Sequence, residues 1–303
     1  MTTISRPNTI VRTVVMNTKP SVISLFCGAG GSSLGYSMSG YDELLGIDID
    51  PTACETFHHN FPYTPVWNQD LTTVETDEVM EYTGLESGQL DLLDSSPPCQ
   101  GFSICGTRDI KDQRNDLFLE TVRFIEGLRP KVFLIENVTG LMKGKMRGKF
   151  NQILFQLKST GYKVRYKSIN TIYYNVPQSR QRLIFLGVRE DLQSEPVFPQ
   201  PNSQVKRLKD VLPHVDFHSR GQFDRLIKHP ESLPYTITKN PSMFFIEDGI
   251  QRKPTIEELK ILSSFPTEFE FTGSYTQIWN QIGNCVPPLM MKELEKTIKE
   301  QIL

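Results

Sequence analysis

The chain has 303 residues, of which 38% are hydrophobic and 22% are charged, and its formal net charge is −2 at pH 7. These values are typical of a globular protein, and the length is sufficient for one large domain and a smaller one. The first twenty residues lack the apolar block of a signal peptide, and the longest apolar runs, such as Val132 to Ile135, are only strand-sized. We therefore expect a cytoplasmic protein without a membrane span.

The cysteines give no sign of a structural framework. No two of them form a CxxC pair, and His58-His59 has no cysteine at zinc-finger spacing. We therefore predict no metal site and no disulfide framework, but free thiols in a reducing compartment. The cysteines are Cys27, Cys54, Cys99, Cys105 and Cys285.

Positive charge is concentrated in one segment. Between Gly140 and Arg189 there are eleven Lys and Arg residues and no Asp or Glu. Such a one-sided distribution suits a polyphosphate ligand. On charge alone, a solvated basic helix face is the alternative.

Strand and helix patterns alternate after a polar segment, residues 1–19, which we predict to be a flexible arm. A helical pattern through Leu117, Thr121, Phe124 and Leu128 separates two of the apolar runs. This alternation predicts an α/β fold with a doubly wound, mostly parallel sheet and helices on both faces. The predicted strands of this half are Ser21–Cys27, Leu44–Ile47, Leu90–Leu93 and Lys131–Ile135.

The alternation continues to residue 189 and then changes. A helix is predicted from Arg147 to Thr160, with strands at Tyr162–Tyr173 and Leu183–Val188. From residue 190 onward, prolines and short strands replace long helices, and an amphipathic helix returns at 289–302. We predict a small, mainly irregular or β module at 190–266, set into a larger domain formed by 20–189 and 267–303.

A glycine-rich turn, Phe26 to Gly35, follows the first strand and precedes a helix. Glycines allow a ligand to approach the backbone closely, and Asp48 at the end of the next strand can accept hydrogen bonds from ribose hydroxyls. Ser33 stands where a dinucleotide fingerprint has its third glycine, which disfavours NAD. The turn predicts a cofactor that carries a nucleoside, with a merely tight βα turn as the alternative.

Cys99 follows the predicted strand Leu90–Leu93 through Pro97-Pro98. Open α/β sheets bind ligands at the carboxyl ends of their strands, and the prolines stiffen the backbone before the thiol. A free thiol of pKa about 8.5 is only a few per cent thiolate at neutral pH, so a nucleophile here needs a nearby base or cation. A buried, inert cysteine is the alternative.

Two further segments carry polar groups suited to catalysis. Glu136 lies at the end of a predicted buried strand. There its carboxyl group can hold a proton and donate it to a ring nitrogen. The alternative is that it caps the following turn. In Pro177-Gln178-Ser179-Arg180-Gln181-Arg182 we expect the side chains of Gln178, Arg180 and Arg182 to point together along one strand face. Two guanidinium groups there can bind a base carbonyl or a phosphate.

Together and in this order, these segments resemble the cytosine-C5 DNA methyltransferase family. The family pattern Phe-x-Gly-x-Gly-Gly, Pro-Cys-Gln, Glu-Asn-Val, Gln-x-Arg-x-Arg and Gly-Asn-x-Val is complete, the last part in Gln281 to Pro288. The resemblance runs from about Ser21 to Pro288 and is supported by Gln69-Asp70-Leu71 and by Arg252 to Pro266. It implies a class I methyltransferase fold of the Rossmann type and makes 190–266 a target-recognition domain.

The resemblance also implies roles for individual residues. Cys99 would add to C6 of a flipped-out cytosine, Glu136 would hold N3 and the exocyclic amine, and Arg182 would meet the base carbonyl oxygen. Arg180 would support the surroundings of the nucleophile, and the loop from Ser103 to Asn115 would close over the base. The residues implied to contact S-adenosyl-L-methionine, whose product is S-adenosyl-L-homocysteine, are Phe26, Gly28, Gly30, Asp48, Ile49, Asp70, Leu71, Pro98, Leu117, Asn284 and Val286.

The implied partner is double-stranded DNA, methylated at a specific sequence by a monomer encoded by a bacterium or phage. A cognate restriction endonuclease that acts on the same site would be a further partner. Ile49 departs from the aromatic residue of many relatives, and the variable region between Arg189 and Arg252 is short.

Three alternatives remain. An amino-methylating DNA enzyme would use Ser96-Pro97-Pro98 but gives Glu136 no role, and it expects an aromatic residue in place of Cys99. A tRNA cytosine methyltransferase would carry a Cys-Phe-Thr signature, yet residues 190–250 contain no cysteine. A catalytically dead, DNA-binding homologue would have no need to keep Cys99, Glu136 and Arg182.

Overall fold

The computed structural model of the protein describes residues 19–98, 117–219, 227–228, 233–239, 241 and 243–303. In this part of the chain a large sheet contains seven strands: β1 (Ser21–Leu25), β2 (Asp42–Asp48), β3 (Val66–Asn68), β4 (Leu92–Ser95), β5 (Val132–Val138), β6 (Tyr162–Asn170) and β7 (Gln181–Arg189). Their order is β3-β2-β1-β4-β5-β7-β6. Strand β7 runs antiparallel to both neighbours and the other pairs are parallel, so the predicted mostly parallel sheet is confirmed.

Helices cover both faces of this sheet, because consecutive residues of its strands point to opposite sides. Ile23, Phe133 and Phe185 belong to one apolar core, whereas their neighbours Val22 and Leu134 belong to the other. The described helices are α1 (Gly31–Ser39), α2 (Pro51–Asn60), α3 (Thr76–Thr83), α4 (Leu117–Leu128), α5 (Arg147–Ser159), α6 (Leu208–Val211), α7 (Ile256–Leu262), α8 (Tyr275–Asn284) and α9 (Pro288–Gln301). Helices α4 and α5 pack on the first core, and α1 and α9 on the second.

Some strand boundaries differ from the sequence predictions. The first strand ends at Leu25 because Phe26 has a positive φ of 56° and turns the chain out of the sheet. Strand β5 continues past Ile135 to Val138, since its last residues pair with β7. Strand β6 ends at Asn170, where the short 3-10 helix Thr171–Tyr173 begins.

A second sheet lies in the small module and is antiparallel. Its strands are β8 (Asp216–Ser219), β9 (Ile227–Lys228), β10 (Met243–Glu247) and β11 (Ile250–Arg252), in the order β11-β10-β8-β9. Phe245 and Leu259 form its apolar core together with Trp279 and Ile282 from α8. The core of the module therefore continues past the boundary at residue 266, which stays a prediction.

None of the helices in the described ranges combines the length and the apolar character that crossing a bilayer requires. The N-terminal arm is predicted at residues 1–19, and residues 1–18 of it lie outside the described part of the chain.

Candidate active site

The glycine-rich turn begins at the carboxyl end of β1 and leads into α1. Phe26, Gly28 and Gly30 all have positive φ angles, of 56°, 54° and 88°. A positive φ is costly for phenylalanine, so the surrounding contacts must hold the turn in this shape. A β-carbon on Gly28 would meet no atom within 4 Å, so the backbone here faces open space. A ligand can therefore approach the main chain of the turn closely.

Asp48, at the end of β2, is tied to the same turn. One carboxylate oxygen accepts a hydrogen bond from the backbone N–H of Gly28 at 2.8 Å, and the other accepts one from Asp50 at 2.8 Å. Burial raises the pKa of Asp48, and these two backbone donors oppose the shift. Each oxygen has a second lone-pair direction, so the carboxylate can also accept hydroxyl groups of a ribose.

The other predicted cofactor residues of this half follow the ends of β2, β3 and β4. The side chain of Ile49 is 64% exposed next to Asp48. The backbone N–H of Gln69 donates to the carbonyl of Asp48 at 3.0 Å, which places Asp70 and Leu71 just beyond it. Pro98 follows β4, and Leu117 opens α4.

The turn between α8 and α9 packs directly against the glycine-rich turn. A β-carbon on Gly31 would collide with the carbonyl oxygen of Val286 and lie 3.0 Å from the β-carbon of Cys285. Asn284 is exposed at the end of α8, whereas Val286 is buried. The first and last motifs of the chain are thus neighbours in space. No local pattern indicated that Gly31 makes this contact possible.

Glu136 and Arg182 form an ion pair at the carboxyl end of β5. The Nε of Arg182 lies 2.5 Å from Oε1 of Glu136, and each side chain is 12% exposed. Burial lowers the pKa of Arg182, and the carboxylate of Glu136 opposes this shift. Strand pairing explains the contact, because Arg182 stands opposite Val138, two residues beyond Glu136 on the same face.

Arg180 and Gln178 hydrogen-bond to other elements than Arg182 does, and the shared face of the three side chains stays a prediction. Strand β7 begins at Gln181, after both residues. Arg180 is 2% exposed and donates to the carbonyl oxygens of Ile237 at 2.9 Å and of Gly283 at 2.8 Å. Gln178 accepts from the N–H of Ile237 and donates to the carbonyl of Leu262. These two residues connect the large domain with the small module and α8.

Cys99 and the loop from Ser103 to Asn115 lie outside the described residues. The described chain stops at Pro98, three residues past the end of β4. Strand β4 pairs with β1 on one side and with β5 on the other. The segment that leads to Cys99 therefore leaves the sheet between the glycine-rich turn and the strand that carries Glu136.

Three buried carboxyl groups behind the glycine-rich turn were missed by sequence reasoning. Glu43, Asp94 and Glu295 are 8%, 2% and 0% exposed. The hydroxyl groups of Ser24 and Ser33 donate to Glu43 at 2.5 and 2.9 Å. Burial raises the pKa of Glu43 to about 7 and of Asp94 to about 8, and it raises that of Glu295 as well. Each of the three is a charged residue within a pattern of apolar residues, and this was the signal that could have indicated a buried carboxyl group.

Comparison with known proteins decides the family. The profile of the C-5 cytosine-specific DNA methylases matches residues 21–240 and 225–300. The chain belongs to this family. The enzyme class expected from the sequence, a DNA cytosine-5-methyltransferase, is therefore confirmed, as is the class of fold.

Relatives of this methyltransferase match over most of its length. It is 31% identical to the Type II methyltransferase M1.HphI of Haemophilus parahaemolyticus, over 91% of this chain and 86% of that protein. It is 39% identical to the Type II methyltransferase M.DdeI of Desulfomicrobium norvegicum, over 92% of this chain and 88% of the relative.

Solved structures share its fold. A prophage-encoded protein of E. coli, assigned as a DNA modification methyltransferase, superposes with a TM-score of 0.77 at 22% identity, over 93% of this chain and 99% of that one. A DNMT2 variant of Spodoptera frugiperda gives 0.72 at 20% identity, over 93% and 100%.

Proposed function

We propose that this methyltransferase transfers a methyl group from S-adenosylmethionine to C5 of a flipped-out cytosine at a specific sequence in duplex DNA. The Glu136–Arg182 pair carries the proposal, because its two groups stand 2.5 Å apart beside the strand end that leads to Cys99. A carboxyl group and a guanidinium together offer the donors and acceptors that the polar edge of one base requires.

The glycine-rich turn fits the cofactor. The open backbone at Gly28 admits close approach, Asp48 can accept the ribose hydroxyls, and exposed Ile49 can pack on an adenine. S-adenosylmethionine, when bound, supplies the methyl group and leaves as S-adenosylhomocysteine. We assign its binding to the eleven residues that the family resemblance implies.

Cys99 is the proposed nucleophile. Cytosine C5 is too weak a nucleophile to take a methyl group unaided, so covalent addition of the Cys99 thiolate to C6 shifts electron density to C5. After methylation the proton on C5 leaves to solvent and the C6–S bond breaks, which returns the thiolate. A base stacked in a duplex cannot reach the thiol, so the cytosine must first be extruded, at about a few kcal/mol.

Glu136 and Arg182 act on the other edge of the base. Glu136, which is ionised in its pair with Arg182, takes up a proton from solvent as the cytosine enters. It donates this proton to N3 as the C6–S bond forms and takes it back when that bond breaks. Arg182 donates to the carbonyl oxygen of the base and holds Glu136 in place through their ion pair. Arg180 is a positioning residue, because its guanidinium reaches the carbonyl oxygens of Ile237 and Gly283.

The partners follow from the same proposal. Duplex DNA is the substrate, and residues 190–266 are the proposed target-recognition domain. Two similar proteins are Type II methyltransferases, which supports an intracellular bacterial or phage enzyme that works beside a cognate restriction endonuclease. We propose that it acts as a monomer.

Labelled S-adenosylmethionine tests the proposal when the protein is incubated with duplex DNA or with tRNA. Label is expected on cytosine C5 of the duplex, and mapping of a mixed-sequence library gives the target. Label in tRNA alone would overturn the DNA assignment.

The covalent step has its own test. Cys99→Ser should lower the turnover rate by about 100-fold or more, and a near wild-type rate would contradict the mechanism. Cys54→Ser is a matched control, because its thiol donates to the carbonyl of Asp48 at 3.4 Å and a serine hydroxyl can do the same.

A further inference from the structure

A pocket of about 480 Å³ opens at the outer edge of the large sheet, beside the proposed active site. Its lining comes from the end of β6, the 3-10 helix Thr171–Tyr173, the first residue of β7 and the segment Pro201–Ser203. The polar groups around it include Lys167, Asn170, Tyr173, Gln181, Asn202 and Ser203. None of these residues has a role in the methyl transfer derived above.

Strand register places the pocket next to Arg182, the residue proposed to meet the target base. Strands β5 and β6 both run antiparallel to β7, so they end at the same edge of the sheet. Asn170 pairs with Gln181, and Ile169 pairs with Arg182. Because neighbouring strands lie about 4.8 Å apart, the pocket begins within about one strand spacing of the Arg182 backbone.

The wall of the pocket is held in place by its amide side chains. Asn170 donates to the hydroxyl of Ser179 at 3.1 Å and accepts from the N–H of Ile172 at 3.3 Å. The N–H of Asn202 donates to the carbonyl of Tyr173 at 2.8 Å, and its side chain donates to Asn175 at 3.2 Å. The pocket is therefore built by ordered contacts between three segments rather than by one surface loop.

Three other groups remain available to a ligand. Within the described part of the chain Lys167 has no carboxylate partner, and its ammonium lies 5.8 Å from the centre of the Phe198 ring. Tyr173 is 45% exposed, and Gln181 is exposed as well. By contrast, Lys163 on the same strand pairs with Glu195 at 3.1 Å. The free positive charge of β6 is thus at the end nearest the active site.

We propose that this pocket binds a phosphate–deoxyribose unit of the DNA strand that flanks the target cytosine. Lys167 neutralises the phosphate, Gln181 donates to a phosphate or sugar oxygen, and the ring of Tyr173 packs against the sugar. Successive nucleotides of one strand rise about 3.4 Å, so a unit within a few steps of the target reaches the pocket. Such backbone contacts set the position of the duplex and carry no sequence information.

The proposal rests on the proposed function, and duplex binding tests it separately from turnover. Lys167→Ala and Tyr173→Ala should each raise the Kd for duplex DNA by about 3- to 10-fold, equally for target and non-target sequences. Lys167→Ala should also reduce the slope of log K against log salt by about 0.9. Lys163→Ala is the matched control and should stay within about twofold of wild type.

Duplex length supplies the second arm, with fluorescence anisotropy as the readout. Duplexes with two and with eight base pairs on each side of the target are compared. The wild type should lose affinity with the short flanks, and the two variants should lose much less, because their contact is already absent. With long duplexes KM should rise in the variants while kcat at saturating DNA stays unchanged.

The outcomes separate the two proposals. The pocket assignment is overturned if both variants bind duplex DNA as tightly as the wild type, or if they lose no more affinity than Lys163→Ala does. It is also overturned if shortening the flanks costs the variants as much affinity as it costs the wild type. If the wild type binds duplex DNA but transfers no methyl group to it, the proposed function fails, whereas the binding data still decide the pocket.

Discussion

Gly31 lies so close to the carbonyl oxygen of Val286 that no side chain fits between them. This contact joins the start of α1 to the turn before α9, and residues of both segments are proposed to hold the cofactor. The shape of the cofactor site therefore depends on residue 31 having no β-carbon.

Gly31→Ala should lower both stability and cofactor affinity. The new β-carbon meets backbone atoms, which cannot rotate away, so the two turns must separate, at a cost of about 1–3 kcal/mol. Thermal unfolding and calorimetric titration with S-adenosylhomocysteine measure the two effects. Gly148→Ala is the control, because a β-carbon there meets nothing within 4 Å and α5 should be unchanged or slightly more stable.

Arg182 and Arg180 should differ in what their loss affects. Arg182→Ala removes the partner of Glu136 and the donor to the base, so kcat should fall by about 10²-fold or more with cofactor Kd within about twofold of wild type. Steady-state kinetics and titration give these values. Equal loss of turnover and of cofactor binding would argue against the assigned role.

Arg180→Ala should instead act on stability. Two buried carbonyl oxygens, of Ile237 and Gly283, lose their donor, and each unsatisfied group costs about 1–3 kcal/mol. Differential scanning calorimetry should therefore show a lower Tm than for Arg182→Ala. An unchanged Tm would show that this guanidinium does not hold the small module and α8 against the large domain.

The buried carboxyl groups predict that stability falls as pH rises. Burial raises the pKa of Glu43 to about 7 and that of Asp94 to about 8. The native state therefore binds more protons than the unfolded chain above about pH 4, where free carboxyl groups ionise. The contribution of these protons to the free energy of unfolding is fully present below the pKa of the carboxyl groups in the unfolded chain. It is lost as the pH rises through their pKa values in the native state.

Glu43→Gln should flatten this dependence, because the amide needs no proton and can still accept from Ser24 and Ser33. At pH 8 its Tm should exceed that of the wild type by about a few degrees, and at pH 5 the difference should shrink or reverse. Glu55→Gln, which changes an exposed residue of α2, serves as the control. Parallel pH profiles for Glu43→Gln and wild type would contradict the prediction.

Arg252 should anchor the small module. It donates to Glu258 through two bonds of 2.8 and 2.6 Å and to Glu247 at 2.7 Å. Burial raises the pKa of Glu258, but the bonds from Arg252 and Thr255 outweigh it, so the net shift is downward. This carboxylate therefore adds stability above its unfolded pKa, and that stability is lost as pH falls through the native value.

Arg252→Met should lower the free energy of unfolding by about 1–3 kcal/mol near neutral pH, with a smaller effect in acid. Urea unfolding at the two pH values measures it, and Lys206→Met at an exposed position is the control. A variant as stable as wild type at neutral pH would show that the charge network contributes nothing.

The sequence determined the fold class and, to within a few residues, the ends of six of the seven strands of the large sheet; the short strand β3 was not predicted. Alternating apolar patterns encode which residues face a core, and glycines and prolines mark turns, since both signals are local. The ordered motifs also identified the family, and they named Glu136 and Arg182 before any distance between them was known.

The tertiary structure decided which of these local features meet. Arg182 forms the ion pair with Glu136, because the register between β5 and β7 places it opposite Val138. Arg180 precedes β7 and donates to backbone carbonyl oxygens of other elements. The contact of Gly31 with Val286 depends on how α1 and α9 pack together. Burial of Glu43 depends on neighbours from several elements. Such distances between segments remote in sequence follow from packing, which no local pattern encodes.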